Sequence, residues 1–293
     1  MVDLHMHTKN SDGSDTVRNL LKLCEEKELE IISITDHDTC KSYEDIKKFD
    51  YKTIYSGKII VGCEITTSYK GRIVEILGYG VNPEVINEYM LNYYTPKHKL
   101  ARKRYLASRL VKNLQRDGFD IELRDIDFSG FPEHQVYEYL VAHKEQAVQV
   151  YGEHIMESLK NFFRDGVVNP EHSLFIDLSK FSPSVDESIE LIRKANGIAV
   201  LAHPYQYAFD NTIDFLNEFI EKHKIDGVEV YHSTFTNAQM GEIEKWAREH
   251  NMMISGGSDY HGTVKPGIEL GTGMNHNLNI NRAIFYNWTK KRD

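Results

Sequence analysis

The chain has 293 residues, 41% of them hydrophobic and 27% charged, and a net charge of −9 at pH 7. That length allows one large domain or two with a substantial core. The negative charge argues against a general affinity for nucleic acids or anionic membranes. No apolar stretch has membrane length, and we expect no signal sequence, because the first residues lack a charged lead and an apolar core. Cys24, Cys40 and Cys63 have no metal or redox spacing, which indicates free thiols in a reducing cytoplasm.

Strand-like and helix-like stretches alternate in two parts of the chain. In the first 80 residues we predict a strand at 2–6, a helix at 17–28, and strands at 31–35, 59–65 and 73–79. The alternation returns with helices at 189–196, 212–222 and 238–251 and strands at 198–202, 227–231 and 252–256. Short, nearly all-apolar strands that alternate with helices predict a parallel sheet covered by helices.

Residues 83–183 show a different pattern, mostly helical and without a convincing parallel strand. A helix is predicted at 97–117, ended by Gly118, with Leu106, Leu110, Val111 and Leu114 on one side. Further helical stretches follow at 134–147 and 153–164. We interpret this segment as an inserted helical subdomain.

Side chains that can bind metal ions follow the apolar runs. They are His5 with His7, Asp12, His37 with Asp38, Glu64, His203, and Asp259 with His261. Successive strand residues face opposite sides, so His5 and His7 point the same way and can hold one ion. Imidazoles and carboxylates at the ends of several strands suit a polynuclear site for Zn, Mn or Fe. The ends of the strands would form the mouth of a β/α barrel, where active sites of that architecture lie.

Eight short motifs occur in order along the chain. They are Asp-Leu-His-Met-His-Thr at 3–8, Ser-Asp-Gly at 11–13, Ile-Thr-Asp-His-Asp-Thr at 34–39, Gly-Cys-Glu-Ile-Thr-Thr at 62–67, Ile-Leu-Gly-Tyr-Gly at 76–80, Val-Leu-Ala-His-Pro at 200–204, Gly-Val-Glu-Val-Tyr at 227–231 and Gly-Ser-Asp-Tyr-His-Gly at 257–262. Together they resemble the PHP (polymerase and histidinol phosphatase) family, specifically its stand-alone phosphoesterases with a helical insertion. The resemblance implies an α/β fold, a distorted (β/α)7 barrel formed by 1–82 and 184–293. An inserted, mostly helical subdomain at 83–183 would cover the site.

The resemblance also implies two or three divalent metal ions. His5, His7, Glu64 and Asp259 would hold one ion, Asp12, His37 and His261 a second, and His203 with the bridging Glu64 a third. Where the family usually supplies a further histidine to the third ion, this chain has Glu75. A carboxylate there can ligate and favours Mn or Fe, or it can orient a histidine or water instead.

The activity that the resemblance implies is hydrolysis of a phosphomonoester of a small metabolite or nucleotide by a metal-bridging hydroxide. Asp12, Glu64 and Asp259 would be essential to it. His232 follows the strand at 227–231 and is either a proton donor to the leaving alkoxide or a surface residue. Asp36 is expected to support a metal ligand.

Segment 97–116 carries eight basic residues and no acidic one. Arg102 and Arg109 are seven residues apart and share a helix face. We expect them, together with His134, to hold a second phosphate or the remote part of the substrate. The competing interpretation is a solvated helix face.

Several alternatives stay open at this point. Within the same class they are a histidinol phosphatase and an exonuclease that trims short oligonucleotides. From other classes they are a non-catalytic metal-binding PHP module and a metal-dependent amide hydrolase. A small phosphorylated substrate is the expected partner, with no membrane and no stable nucleic-acid complex. The sequence specifies neither the leaving group, nor the native metal, nor the oligomeric state.

Overall fold

The computed structural model describes residues 1–207 and 209–288. Its strands are β1 (Val2–Asp3), β2 (Ile31–Ile32), β3 (Lys58–Ile59), β4 (Gly62–Tyr69), β5 (Arg72–Tyr79), β6 (Ile198–Leu201), β7 (Gly227–His232), β8 (Met253–Gly257), β9 (Ile268–Glu269) and β10 (Gly273–Met274). Its α-helices are α1 (Val17–Glu26), α2 (Lys41–Ile46), α3 (Pro83–Tyr93), α4 (Pro96–Arg116), α5 (Pro132–Ala142), α6 (Lys144–Tyr151), α7 (Glu153–Met156), α8 (Leu159–Asn161), α9 (Val185–Lys194), α10 (Thr212–Lys222) and α11 (Asn237–Glu249). The fold is mixed α/β, as predicted.

The chain divides into two compact units. The first contains Met1–Thr67, Val74–Met90 and the described residues from Ser184 onward. The second contains Ser68–Ile73 and Leu91–Pro183. The second unit therefore includes the end of the β4–β5 hairpin, and the first keeps the start of α3.

The larger sheet of the first unit is mixed, so the prediction of a parallel sheet is wrong for it. β1, β2 and β3 form a parallel three-stranded sheet, and β4 to β8 form a five-stranded one. In the larger sheet β5 runs antiparallel to β6, whereas β6, β7 and β8 are parallel. The reversal comes from the hairpin turn at Lys70 and Gly71, where both residues have positive φ. Such turns fit the twist of paired antiparallel strands.

The single strand predicted at 59–65 is also wrong, because it is two strands, β3 and β4. The hydroxyl of Tyr43 lies where the ladder is interrupted. It accepts from Ile34 N at 3.1 Å and from Gly62 N at 2.8 Å, and it donates to Ile34 O at 2.7 Å. A side chain thus satisfies backbone groups that strand pairing would otherwise satisfy.

Helices of the first unit begin at polar caps and bury one apolar side. The hydroxyl of Thr16 caps α1, which buries Val17, Leu20, Leu21 and Cys24. A capping box formed by Ser184 and Glu187 starts α9 four residues before the predicted helix at 189–196.

The second unit is helical and has its own core. The helix predicted at 97–117 is confirmed as α4, and Leu106, Leu110, Val111 and Leu114 are buried as predicted. The helix predicted at 134–147 is two helices, α5 and α6, and the one predicted at 153–164 is α7, α8 and a π-helical turn at Phe162–Val167. Among the described helices, none combines the length and apolar character needed to cross a membrane.

Candidate metal centre

The candidate ligands lie in the first unit, in or just after its strands. An isolated bridge pairs Met6 with Tyr260, and another pairs His37 with Glu64. These bridges bring segments distant in sequence to one place. Gly257 permits the closest approach, since a Cβ there would lie 2.3 Å from the backbone nitrogen of His5. Asp259, two residues later, has φ +56°, an uncommon conformation that directs its side chain toward the histidines.

Four ligand atoms converge at the first group. The Nε2 atoms of His5 and His7 are 3.1 Å apart. Glu64 Oε2 lies 3.2 Å from the first and 3.3 Å from the second. Asp259 Oδ1 lies 3.6 Å and 3.4 Å from the same two nitrogens. All four side chains are buried, and two imidazoles with two carboxylates are a donor set suited to a divalent transition metal.

Hydrogen bonds determine which ring nitrogen carries the proton in two histidines of the centre, His5 and His261. Glu229 can only accept, so His5 Nδ1 donates to Glu229 Oε1 at 2.9 Å and its Nε2 is left to bind an ion. His261 Nδ1 donates to the carbonyl oxygen of Asp259 at 2.8 Å, which likewise frees its Nε2. A carboxylate or carbonyl behind a ligating imidazole is the usual arrangement at protein metal sites.

A second group is formed by His7, Asp12, His37 and His261. Asp12 Oδ1 lies 3.2 Å from His261 Nε2, and Asp12 Oδ2 lies 3.7 Å from His37 Nε2. The Asp12 side chain is 52% exposed, which places this group at the rim of the centre. Among the described residues, the buried atoms His7 Nδ1, His37 Nδ1 and His261 Nε2 have no hydrogen-bond partner. Buried polar atoms rarely lack a hydrogen-bond partner, and coordination to a bound ion would account for these three nitrogens.

Glu75 belongs to a third group, with His37 and Glu64. Glu75 Oε1 lies 3.7 Å from His37 Nδ1, and its Oε2 lies 3.4 Å from His203 Nε2. Glu64 Oε1 also faces His203, at 3.0 Å, whereas its Oε2 faces His37 at 3.3 Å. The two oxygens of Glu64 therefore face different histidines, since Oε1 faces His203 and Oε2 faces His5, His7 and His37.

The pKa values in the metal-free centre are shifted because its histidines and carboxylates are buried next to one another. Burial alone would lower the pKa of His7, but hydrogen bonds to Asp259 and Glu64 raise it to about 9. Against the opposing effect of burial, the positive charge of His5 holds the pKa values of Glu64 and Asp259 well below their usual range. Burial lowers the pKa of His261, which favours its neutral form.

Asp36 lies behind the loop that carries Asp12. Asp36 Oδ1 accepts from Thr8 N at 2.7 Å and from Ser11 Oγ at 2.6 Å, and Ser42 Oγ donates to Asp36 Oδ2. Asp36 thus orders the residues between His7 and Asp12.

His232 is fully buried, so it is not the surface residue that the sequence left open. Its Nε2 lies 3.3 Å from Asp259 Oδ2, and burial lowers its pKa. His232, His5 and Asp259 form a further group with metal-binding potential.

The residues predicted to contact substrate lie in the second unit. Arg102 is half-buried, whereas Arg109 and His134 are exposed. The ring centroid of His134 lies 5.2 Å from that of Phe131. Their part in substrate binding stays a prediction.

Two residues at the centre did not emerge from the sequence analysis. Glu229 is a fully buried acid in the apolar strand β7, and its Oε2 also accepts from His203 N at 2.8 Å. The sequence signal that could have identified Glu229 is a charged residue between the apolar residues of β7. Lys265 Nζ lies 2.6 Å from Asp259 Oδ2, and no spacing rule indicated it.

Buried imidazoles with unpaired nitrogens and carboxylates between them fit divalent metal ions, and the fold with this site defines a metal-binding α/β protein. The PHP domain model matches residues 3–252. The chain therefore belongs to the PHP family, which confirms the resemblance seen in its sequence motifs.

Similar proteins extend over nearly the whole chain. A phosphoribosyl 1,2-cyclic phosphate 1,2-diphosphodiesterase of Eggerthella lenta is 24% identical over 277 residues, 89% of this chain and 94% of the relative. The 5'-3' exoribonuclease Rnm of Salmonella typhimurium is 26% identical over 276 residues, 92% of this chain and 87% of the relative. The solved structure of an amidohydrolase from Chromobacterium violaceum with bound sulfate has a TM-score of 0.64 at 20% identity, covers 92% of this chain and 89% of its own, and shows the shared fold. The chain is a hydrolase, as predicted.

Proposed function

We propose that this hydrolase is a metal-dependent phosphoesterase that cleaves the phosphomonoester of a small metabolite or nucleotide. The observation that carries the proposal is Glu64, whose two oxygens face four histidines: His5, His7, His37 and His203. Centres with several cations suit an anionic ester, because clustered positive charge offsets the repulsion between substrate and nucleophile. The names of the two relatives, a cyclic phosphodiesterase and an exoribonuclease, both describe hydrolysis of phosphate esters of ribose compounds.

We propose two or three ions, Mn, Fe or Zn. One would be held by His5, His7, Glu64 and Asp259, and a second by Asp12, His37 and His261. Glu64, His203 and Glu75 would hold the third. When bound, such ions neutralise phosphate charge and lower the pKa of water toward neutrality.

The protein's own residues position these groups. Glu229 and the carbonyl of Asp259 orient His5 and His261 through their Nδ1 atoms. Asp12, half-exposed at the rim, is the candidate ligand on the side open to solvent. We propose His232 as the proton donor to the leaving oxygen, because its contact with Asp259 Oδ2 favours the protonated imidazole against the opposing effect of burial.

We also propose that the two sheets close into the distorted (β/α)7 barrel of the family. Leu4, which follows β1, donates its backbone N–H to Gly256 O in β8 at 3.1 Å. Glu64 in β4 donates its backbone N–H to Asp36 O, which lies after β2, at 3.2 Å. Both bonds join the three-stranded sheet to the five-stranded one. The three cysteines are free and buried, which fits a reducing cytoplasm.

A substrate panel tests the proposal. Protein loaded with Mn is assayed with sugar phosphates, nucleoside monophosphates, 3',5'-bisphosphonucleotides, histidinol phosphate, a 5'-phosphorylated dinucleotide and an N-acyl amino acid. Phosphate release from monoesters that is lost in Glu64→Ala supports the proposal. Turnover confined to the dinucleotide favours the exonuclease, for which the similarity to Rnm is the specific observation. Turnover of the amide alone, or none at all by metal-loaded protein, contradicts it.

A further inference from the structure

The two carboxylate oxygens of Asp259 have different neighbours. Oδ1 lies 3.4–3.6 Å from nitrogens of His5, His7 and His261. Oδ2 lies 2.6 Å from Lys265 Nζ and 3.3 Å from His232 Nε2. Oδ1 is thus the oxygen directed at the candidate ion, whereas the Lys265 ammonium contacts the other oxygen, Oδ2.

Lys265 also reaches solvent. Its side chain is 33% exposed, although Asp259 beneath it is only 4% exposed. An ammonium has three donors, and the hydrogen bond to Asp259 uses one of them. Two donors are left for another acceptor, and the partial exposure of the side chain allows one to approach from solvent.

The carboxylates of the centre make the position of Lys265 favourable for phosphate binding. Asp12, Glu64, Glu75, Glu229 and Asp259 are all acidic, and two bound divalent ions would offset four of their five negative charges, so that one would remain to oppose the approach of a phosphate. A lysine at the surface of the centre offsets that charge locally. Lysine binds phosphate as a compact point charge and does not need the fixed planar geometry of arginine.

We propose that Lys265 binds the phosphate group of the substrate while it remains on Asp259. This inference rests on the proposed function, since it assigns a binding residue to the same site. Lys265 acts on substrate affinity, because its ammonium contacts a non-bridging phosphate oxygen in the bound substrate and in the phosphate product alike.

The probe is inorganic phosphate, titrated by calorimetry into the full-length, Mn-loaded protein. The variants are Lys265→Met, Lys265→Arg and a control, Lys245→Met, which removes an exposed lysine on α11. Loss of a charge-assisted hydrogen bond weakens binding about 10- to 100-fold. We expect this loss for Lys265→Met, a smaller one for Lys265→Arg, and none for Lys245→Met. Metal content should be equal in all of them, and KM for the best panel substrate should rise more than kcat falls.

The outcomes separate the inference from the proposed function. Unchanged phosphate affinity in Lys265→Met overturns the inference, as does a wild type that binds no phosphate. Loss of metal from Lys265→Met also overturns it, because Lys265 would then act through Asp259 as a positioning residue. If the wild type binds phosphate, loses it on Lys265→Met and yet hydrolyses no phosphate ester, the inference stands and the proposed function fails.

Discussion

Glu229→Gln tests whether orientation of the ligands depends on a carboxylate in β7. Glu229 is fully buried and accepts with both oxygens, Oε1 from His5 Nδ1 at 2.9 Å and Oε2 from His203 N at 2.8 Å. The amide of glutamine has one oxygen and one NH2 group. In either orientation the NH2 faces a buried N–H donor, so one of the two hydrogen bonds is lost.

The magnitude follows from that lost bond. An unsatisfied buried donor costs about 1–3 kcal/mol, and loss of a group that orients a metal ligand weakens metal binding about 10- to 100-fold. We expect Glu229→Gln to raise the dissociation constant for Mn by that factor. The larger effect should appear if glutamine turns its NH2 toward His5.

The assay is competition for Mn between the protein and a chelating dye, with circular dichroism to verify folding. Glu269→Gln is the matched control, because it changes an acid whose side chain is 48% exposed and forms a surface ion pair with Lys27. Metal affinity of Glu229→Gln within twofold of both wild type and control would refute the orienting role.

Further predictions concern the proton donor, the third ion, proton release and the second unit. His232→Gln should slow hydrolysis of alkyl phosphates far more than that of p-nitrophenyl phosphate, since only a poor leaving group needs a proton, and equal slowing would exclude His232 as the donor. Glu75→His should keep metal content and raise zinc occupancy in competitive loading, whereas unchanged preference would place Glu75 outside the ligand set. In the metal-free protein His7 has a pKa of about 9 and is protonated at pH 7.5. Metal binding should therefore release protons and strengthen as pH rises toward 9. Calorimetry in buffers of different ionisation enthalpy measures the proton release, and a result of zero would refute this prediction. Alanine at Arg102 and Arg109 should raise KM more than it lowers kcat, and an unchanged KM would identify a solvated helix face.

The ligand clusters could be predicted from sequence because each is local. His5 and His7 are two residues apart, as are Asp259 and His261, although His5 and His7 follow β1 and are not part of it. Their chemistry is visible at short spacing, and the strand ends bring the clusters together. Lys265, six residues after Asp259, was missed because no spacing rule links a lysine to a metal ligand. Glu229 was missed because its contact is not local. Glu229 contacts a histidine 224 positions away, and only the fold shows that contact.

The errors in the sheet have physical causes too. The apolar run 59–65 contains no charged or proline residue to mark a break before Glu64, and the interruption comes from a distant hydroxyl, that of Tyr43. The hairpin at Lys70 and Gly71 was available as a turn signal, but strands before and after it have the same apolar character in parallel and antiparallel sheets. Direction is decided by the turn and by pairing with β6.

The central claim is that several ions bound by these histidines and carboxylates support phosphate ester hydrolysis. The most direct measurement is a titration of chelator-stripped protein with Mn, with bound metal and phosphate release followed in the same samples. The account predicts negligible release without metal, and activity that saturates only at two or more bound equivalents per chain. Full activity in stripped protein, or saturation of binding below one equivalent, would contradict it.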